Sequence, residues 1–234
     1  MKLYFYSILL IFLFSLTPKT AFNQCSNINY YKALRDLYLS TKGDGWKNRT
    51  GWPNYADFLA HPTPTSNTNM DNWYGVECVN GRIQLLLLSN NNLKGSLNES
   101  FNLLDMLLEV DLSGNNLRGY ITSNMINLIK LQSLDLSNNL FSGPLPNGFS
   151  LLSNLRLLNL SKNDFSDKLP IDFGSWSNLN ELNLANNKFT DSLTNVIGNM
   201  KNLTSLQLQQ NQFYGKIPSS IGKLTDLENL DLSN

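Results

Sequence analysis

Apolar residues recur along this chain with a period too long for one helix or one strand. From residue 83 onward the frame I/L-x-x-L-x-L-x-x-N-x-L/F can be laid down seven times, each copy 24 residues after the last. One polar position never varies within it: Asn91, Asn115, Asn139, Asn163, Asn187 and Asn211. The seventh copy, Leu227 to Asn234, stops before its asparagine falls due, so the chain is expected to be a piece of a longer one.

Within a copy such as Leu155 to Phe165, Leu158 and Leu160 stand two apart and share one side of an extended strand, while Asn159 faces the other. Copies stacked about 4.8 Å apart would build a parallel sheet with these leucines inward. Asn163 then turns the chain, and its amide can both donate to and accept from the backbone of adjacent turns. A buried backbone group left unpaired costs about 1–3 kcal/mol, so leucine is a poor substitute there. Apolar columns follow each asparagine. One is Phe141, Phe165, Phe189 and Phe213; another is Phe101, Met125, Phe149, Phe173, Ile197 and Ile221. Their spacing predicts rings that stack on one another in a core rather than on a ligand.

Between the columns lie Gly143-Pro144-Leu145-Pro146 and Gly215-Lys216-Ile217-Pro218, with Asp167 heading a version that ends in Pro170. Glycine or aspartate suits a tight turn, and proline stiffens the segment leaving it. A strict period of this size with this frame is the signature of a leucine-rich-repeat solenoid. Such an α/β repeat presents a long surface and seldom a catalytic pocket. The composite L-x-x-L-x-L-S-x-N-x-L-x-G-x-I/L-P resembles the plant-type repeat of receptor-like kinase and receptor-like protein ectodomains and of polygalacturonase-inhibiting proteins. The resemblance covers residues 83–234, six complete repeats and a truncated seventh. It implies a right-handed superhelix with a parallel inner sheet, a second run of short strands, and helical turns on the convex side.

Residues 25–82 read as an N-terminal capping domain. Helical spacing runs through Tyr31 to Tyr38, and Gly43-Asp44-Gly45 ends it. Trp73-Tyr74-Gly75-Val76-Glu77-Cys78 resembles the W-x-G-V-x-C element of the same family's cap. That family commonly has a cysteine just before the tryptophan; here Asp71-Asn72 stand in its place, and Cys25 is left as the partner of Cys78. The count agrees, because two cysteines in an exported chain point to one disulfide and, even with His61, supply too few ligands for a metal. His61 to Asn69, with Pro62 and Pro64, reads as an exposed loop inserted in the cap.

Residues 1–24 read as a signal peptide. The apolar run Leu3 to Leu16 follows Lys2 and falls short of the ~20 residues that span a bilayer. Cleavage near Ala21 is expected, with an uncleaved anchor as the other reading. The expected location is therefore secreted or at the cell surface. Asn48, Asn98, Asn159 and Asn202 head glycosylation triplets.

Charge and motifs then narrow the function. Eighteen basic residues balance 18 acidic ones with no basic cluster, which argues against nucleic acid as a partner, and no later segment is apolar enough to span a membrane. Asn67-x-Asn69-x-Asp71 opens like a calcium loop but has Asn72 for the required glycine and Cys78 for the glutamate, so no metal is expected. Gly43-Asp44-Gly45 lacks a phosphate-loop lysine, and no cofactor is expected. His61, the one histidine, has no glycine-serine elbow beside it, and no catalytic residue is assigned. Asp111 and Asp135 recur with the repeat and read as solvated acids rather than a catalytic dyad.

The prediction is a non-enzymatic recognition module that binds a protein, peptide or glycan through its inner sheet. Its outward residues form columns, one running Leu87, Asp111, Asp135, Asn159, Asn183, Gln207 and Asp231. Glu109 and Glu181 stand in the flanking column, with Arg156 at the margin. Candidate contacts are thus Glu109, Asp111, Asp135, Arg156, Asn159, Glu181, Asn183 and Gln207. Two other readings stay open: a secreted inhibitor of a carbohydrate-degrading enzyme, and a structural surface protein.

Overall fold

The structure, a computed structural model, describes residues 25–65 and 68–233. The expected signal peptide (1–24), Asn67 of the calcium-like stretch and Asn234 lie outside the described residues. Helix α1, Ile28–Ser40, begins where the Asn27 side chain accepts from the N–H groups of Asn29 and Tyr30. It buries Tyr31, Leu34, Leu37 and Tyr38. A second helix, α2 (Tyr55–Ala60), was not expected from the sequence. It buries only Phe58, so it offers no periodicity to read, and a capping box between Asn54 and Asp57 starts it.

Rings fill the cap: Tyr38 lies 5.0 Å from Phe58, Trp46 4.9 Å from Trp52, and Trp52 4.8 Å from Trp73, centroid to centroid. Cys25 and Cys78 are disulfide-bonded across 53 residues with Cα atoms 6.1 Å apart, tying the chain before α1 to the first strand. The two sulfurs and the Asp71 carboxylate lie within 4.8 Å of one another, but sulfurs bonded to each other offer no thiolate to a metal.

The strands run β1 Val76–Val79, β2 Arg82–Leu87, β3 Lys94–Gly95, β4 Glu109–Asp111, β5 Asn116–Gly119, β6 Ser133–Asp135, β7 Leu140–Gly143, β8 Leu157–Asn159, β9 Asp164–Asp167, β10 Glu181–Asn183, β11 Lys188–Phe189, β12 Ser205–Gln207 and β13 Asn229–Asp231. They form two sheets. The inner one has eight strands in the order β1-β2-β4-β6-β8-β10-β12-β13, and the second has five in the order β11-β9-β7-β5-β3. Only β1 is antiparallel to its neighbour; the other inner-sheet pairings join equivalent residues of successive repeats, as Asp111 with Asp135 and Asn159 with Asn183, whereas the second sheet pairs positions offset by two, as Arg118 with Leu140. Single turns of 3-10 helix, such as Ser123–Asn127 and Asn195–Asn199, return the chain from one repeat to the next.

The asparagine ladder explains why the stack holds. Asn163 Nδ2 donates to the carbonyls of Leu136, Leu160 and Ser161 at 3.0, 3.1 and 3.2 Å, and its Oδ1 accepts from Phe141 N at 3.0 Å. Asn115, Asn139, Asn187 and Asn211 repeat the arrangement. Asn91 has no preceding repeat and uses the cap instead, donating to Asn48 O at 2.8 Å and accepting from Asn48 N at 2.6 Å. Outside the ladder the phenylalanine column stacks nearly parallel, with 6.0 Å between Phe141 and Phe165 and again between Phe165 and Phe189.

The residue before each ladder asparagine is left-handed: φ is 53° at Asn138, 55° at Lys162 and 56° at both Asn186 and Gln210. Lys162 is exposed, so its side chain gains nothing to offset that conformation. Lys162→Gly should therefore stabilise the protein by about 1 kcal/mol, where Lys162→Ala should not. Thermal melts of the two variants check this; a glycine variant no more stable than the alanine one would contradict it.

Candidate binding face

Alternation along each inner strand sends its middle residue inward. Val110, Leu134, Leu158, Leu182 and Leu206 are buried, and their neighbours on both sides face outward. The register then brings the predicted contacts together. Glu109, Ser133, Leu157, Glu181 and Ser205 form one outward column, and Asp111, Asp135, Asn159, Asn183 and Gln207 form the next. Arg156 is exposed directly before β8, at the margin of the face.

Asp111 and Asp135 are not the freely solvated acids that the sequence reading expects. Asp111 Oδ1 accepts from Ser113 N at 2.9 Å and from its hydroxyl at 2.7 Å, and Asp135 Oδ1 accepts from Ser137 N at 2.8 Å. Asn159 and Asn183 hold the N–H groups of Ser161 and Ala185 in the same way. Each side chain shapes the bend that follows its own strand. Contacts also run along the column. Asn159 Nδ2 donates to Asp135 Oδ2 at 3.0 Å, and Asn183 Nδ2 donates to Gln207 Oε1 at 2.8 Å. The track is a pre-ordered row of polar groups, part of whose capacity is already used.

Burial and crowding disturb its acids. Burial raises the Asp135 carboxyl above the ordinary aspartate value and Asp111 adds to the rise, against the lowering from Ser137 and Asn159. Glu109 is raised by burial first, then by the charges of Asp111 and Glu77. A carboxyl raised on folding burdens the folded state once it is ionised; below the unfolded-state value it is protonated in both states and the burden vanishes. Glu109→Gln should therefore raise the melting temperature at pH 7, and the gain should disappear as pH falls below the ordinary glutamate range. Melts of both proteins across that range test it; a gain independent of pH, or none at pH 7, would contradict it.

A second row of asparagines went unread in the sequence. Asn154, Asn178 and Asn202 donate from Nδ2 to the carbonyls of Ile129, Ser153 and Ser177 at 2.7, 2.9 and 2.7 Å, joining each repeat to the one before. They stand 24 residues apart, so the signal was available. Asn202 also heads a glycosylation triplet and is exposed, whereas Asn48 and Asn98 are half-buried and Asn159 lies within the inner sheet.

Two clefts lie off the inner sheet. One of about 460 Å³ opens beside Tyr31, Trp52, Asp57 and His61; one of about 520 Å³ lies between Tyr30, Arg82, Asn102 and Asp105. In the first, the Tyr31 hydroxyl donates to His61 O at 2.7 Å and Trp52 Nε1 to Tyr74 O at 2.9 Å. In the second, the Tyr30 hydroxyl donates to Asp105 at 3.2 Å. Among the described residues no helix is long and apolar enough to cross a membrane.

The Leucine Rich Repeat family model matches residues 130–152, 154–176, 178–200 and 202–224. No curated protein sequence matches the chain. Among solved structures, the complex PEPR1-AtPEP1 is 30% identical with a TM-score of 0.73, over 86% of this chain and 28% of that one. The Arabidopsis receptor kinase HAESA, in complex with the peptide hormone IDA and the co-receptor SERK1, is 29% identical with a TM-score of 0.72, over 85% of this chain and 32% of that one. A plant ice-binding protein is 26% identical with a TM-score of 0.72, over 86% of this chain and 61% of that one. The chain thus spans about a third of the two receptor structures, and its fold serves more than one kind of ligand.

Proposed function

The chain belongs to the plant-type leucine-rich-repeat family, and on that premise we propose that it is an exported recognition module whose inner sheet binds an extended peptide or protein segment. In this reading residues 1–24 direct export, 25–82 cap the solenoid and 83–234 form the recognition surface. The observation that carries it is the pair of outward columns, whose members are neighbours only because the repeats stack in register. A surface built that way is continuous, pre-ordered and varied along its length, which suits an extended ligand. The HAESA complex with a peptide hormone supports the peptide class. The cap disulfide supports an oxidising compartment.

The test must spare the turns that Asp111, Asp135, Asn159 and Asn183 hold. Leu157 and Glu181 face outward on adjacent strands, and neither side chain makes a hydrogen bond or ion pair among the described residues. Leu157→Glu with Glu181→Lys should leave the melting curve nearly unchanged. The double variant should also weaken capture of a peptide selected from an unbiased library by tenfold or more. A selected peptide bound equally by both proteins would overturn the inner-sheet reading.

A further inference from the structure

The outward face of the inner sheet changes character along the stack. On β8, β10 and β12 the column that follows the buried residue carries the neutral amides Asn159, Asn183 and Gln207, and Asn183 and Gln207 bond to each other. At the cap end the same column starts with Leu87, and the flanking column starts with Leu85. Register places Leu85 between Glu77 on β1 and Glu109 on β4, with Leu87 beside Asp111. Both leucines stay partly exposed, and later repeats have polar groups at these two positions except for Leu157.

We propose that this cap end of the inner sheet docks a peptide segment carrying a lysine or arginine next to an apolar side chain. The inference rests on the inner-sheet reading above and names the chemistry of the ligand. Leu85 and Leu87 supply an apolar floor, and the carboxylates of Glu77, Glu109 and Asp111 rim it on both sides. No Lys, Arg or His of the described residues pairs with any of them; the ion pairs join Arg35 to Asp36, Arg49 to Asp44 and Lys188 to Asp164. The imbalance extends along the face. Its columns carry Glu77, Glu109, Asp111, Asp135, Glu181 and Asp231 against Arg156 at the margin, although the whole chain holds 18 charges of each sign. A half-buried carboxylate among like charges gains most when a ligand brings the missing cation to it. The raised Glu109 carboxyl agrees with that crowding.

Two soluble nonapeptides separate the outcomes, Lys-Ser-Leu-Ser-Lys-Ser-Leu-Ser-Lys and its counterpart with glutamate for lysine. In an extended chain each turns its charged and leucine side chains to one side. Calorimetric titration of the full chain at about 0.15 M salt should show saturable binding of the lysine peptide and none of the glutamate peptide. Glu109→Gln with Asp111→Asn should weaken the lysine peptide by about tenfold or more, since the amide introduced at position 111 keeps an oxygen that can accept from Ser113. Equal binding of the two peptides, no binding of the lysine peptide, or unchanged binding by the variant would overturn the inference. If a library-selected peptide without cations is meanwhile lost on Leu157→Glu with Glu181→Lys, inner-sheet binding stands and only the ligand class proposed here falls.

Discussion

Asn163→Leu should destabilise the protein by about 3–5 kcal/mol, near the upper end for a single side chain. Leucine has the branched shape of asparagine but neither donates nor accepts. The carbonyls of Leu136, Leu160 and Ser161 and the N–H of Phe141 all lose this partner at once, inside a core that admits little water. The damage should spread, because Asn163 joins the repeat of Leu136 to its own and each repeat depends on its neighbours. Asn163→Asp should give little rescue: its oxygen can still accept from Phe141, but a carboxylate would face three carbonyls. Denaturant melts of the three proteins measure this, and a leucine variant within about 1 kcal/mol of the parent would show that the ladder bonds contribute little.

Removing the cap disulfide is the second large effect. Cys25 is buried, and the bond to Cys78 closes a loop spanning 53 residues. Chain-entropy arguments put its contribution at about 4 kcal/mol. The double variant Cys25→Ser with Cys78→Ser should therefore melt about 10 °C lower in the transition that reports the cap, followed through the fluorescence of Trp46, Trp52 and Trp73. The repeats should respond less, since Asn91 reaches the cap through Asn48 rather than through the disulfide. An unchanged tryptophan transition would show that the ring cluster alone holds the cap.

The solenoid was legible because its cause is written in every copy: leucines two apart for the strand, one asparagine for the turn, and a constant period. Direction along the strands was legible for the same reason, and the period alone places Asp111, Asp135 and Asn159 on one outward column. Their second role was missed, although the serine two residues on in Asp111-Leu112-Ser113 and Asp135-Leu136-Ser137 was the available signal. Helix α2 was missed because one buried phenylalanine makes no pattern. The left-handed position before the ladder was hidden for a different reason. Asn90, Gly114, Asn138 and Asn186 are types that tolerate a left-handed angle, but Lys162 and Gln210 adopt it too, so no single residue type marks the position.

Ligand docking at the inner sheet is tested most directly by hydrogen–deuterium exchange with a library-selected peptide. Bound peptide should slow exchange in the segments of β4, β6, β8 and β10 and leave the 3-10 turns Ser123–Asn127 and Asn195–Asn199 unchanged. Protection confined to those turns, or to the second sheet from β3 to β11, would contradict it.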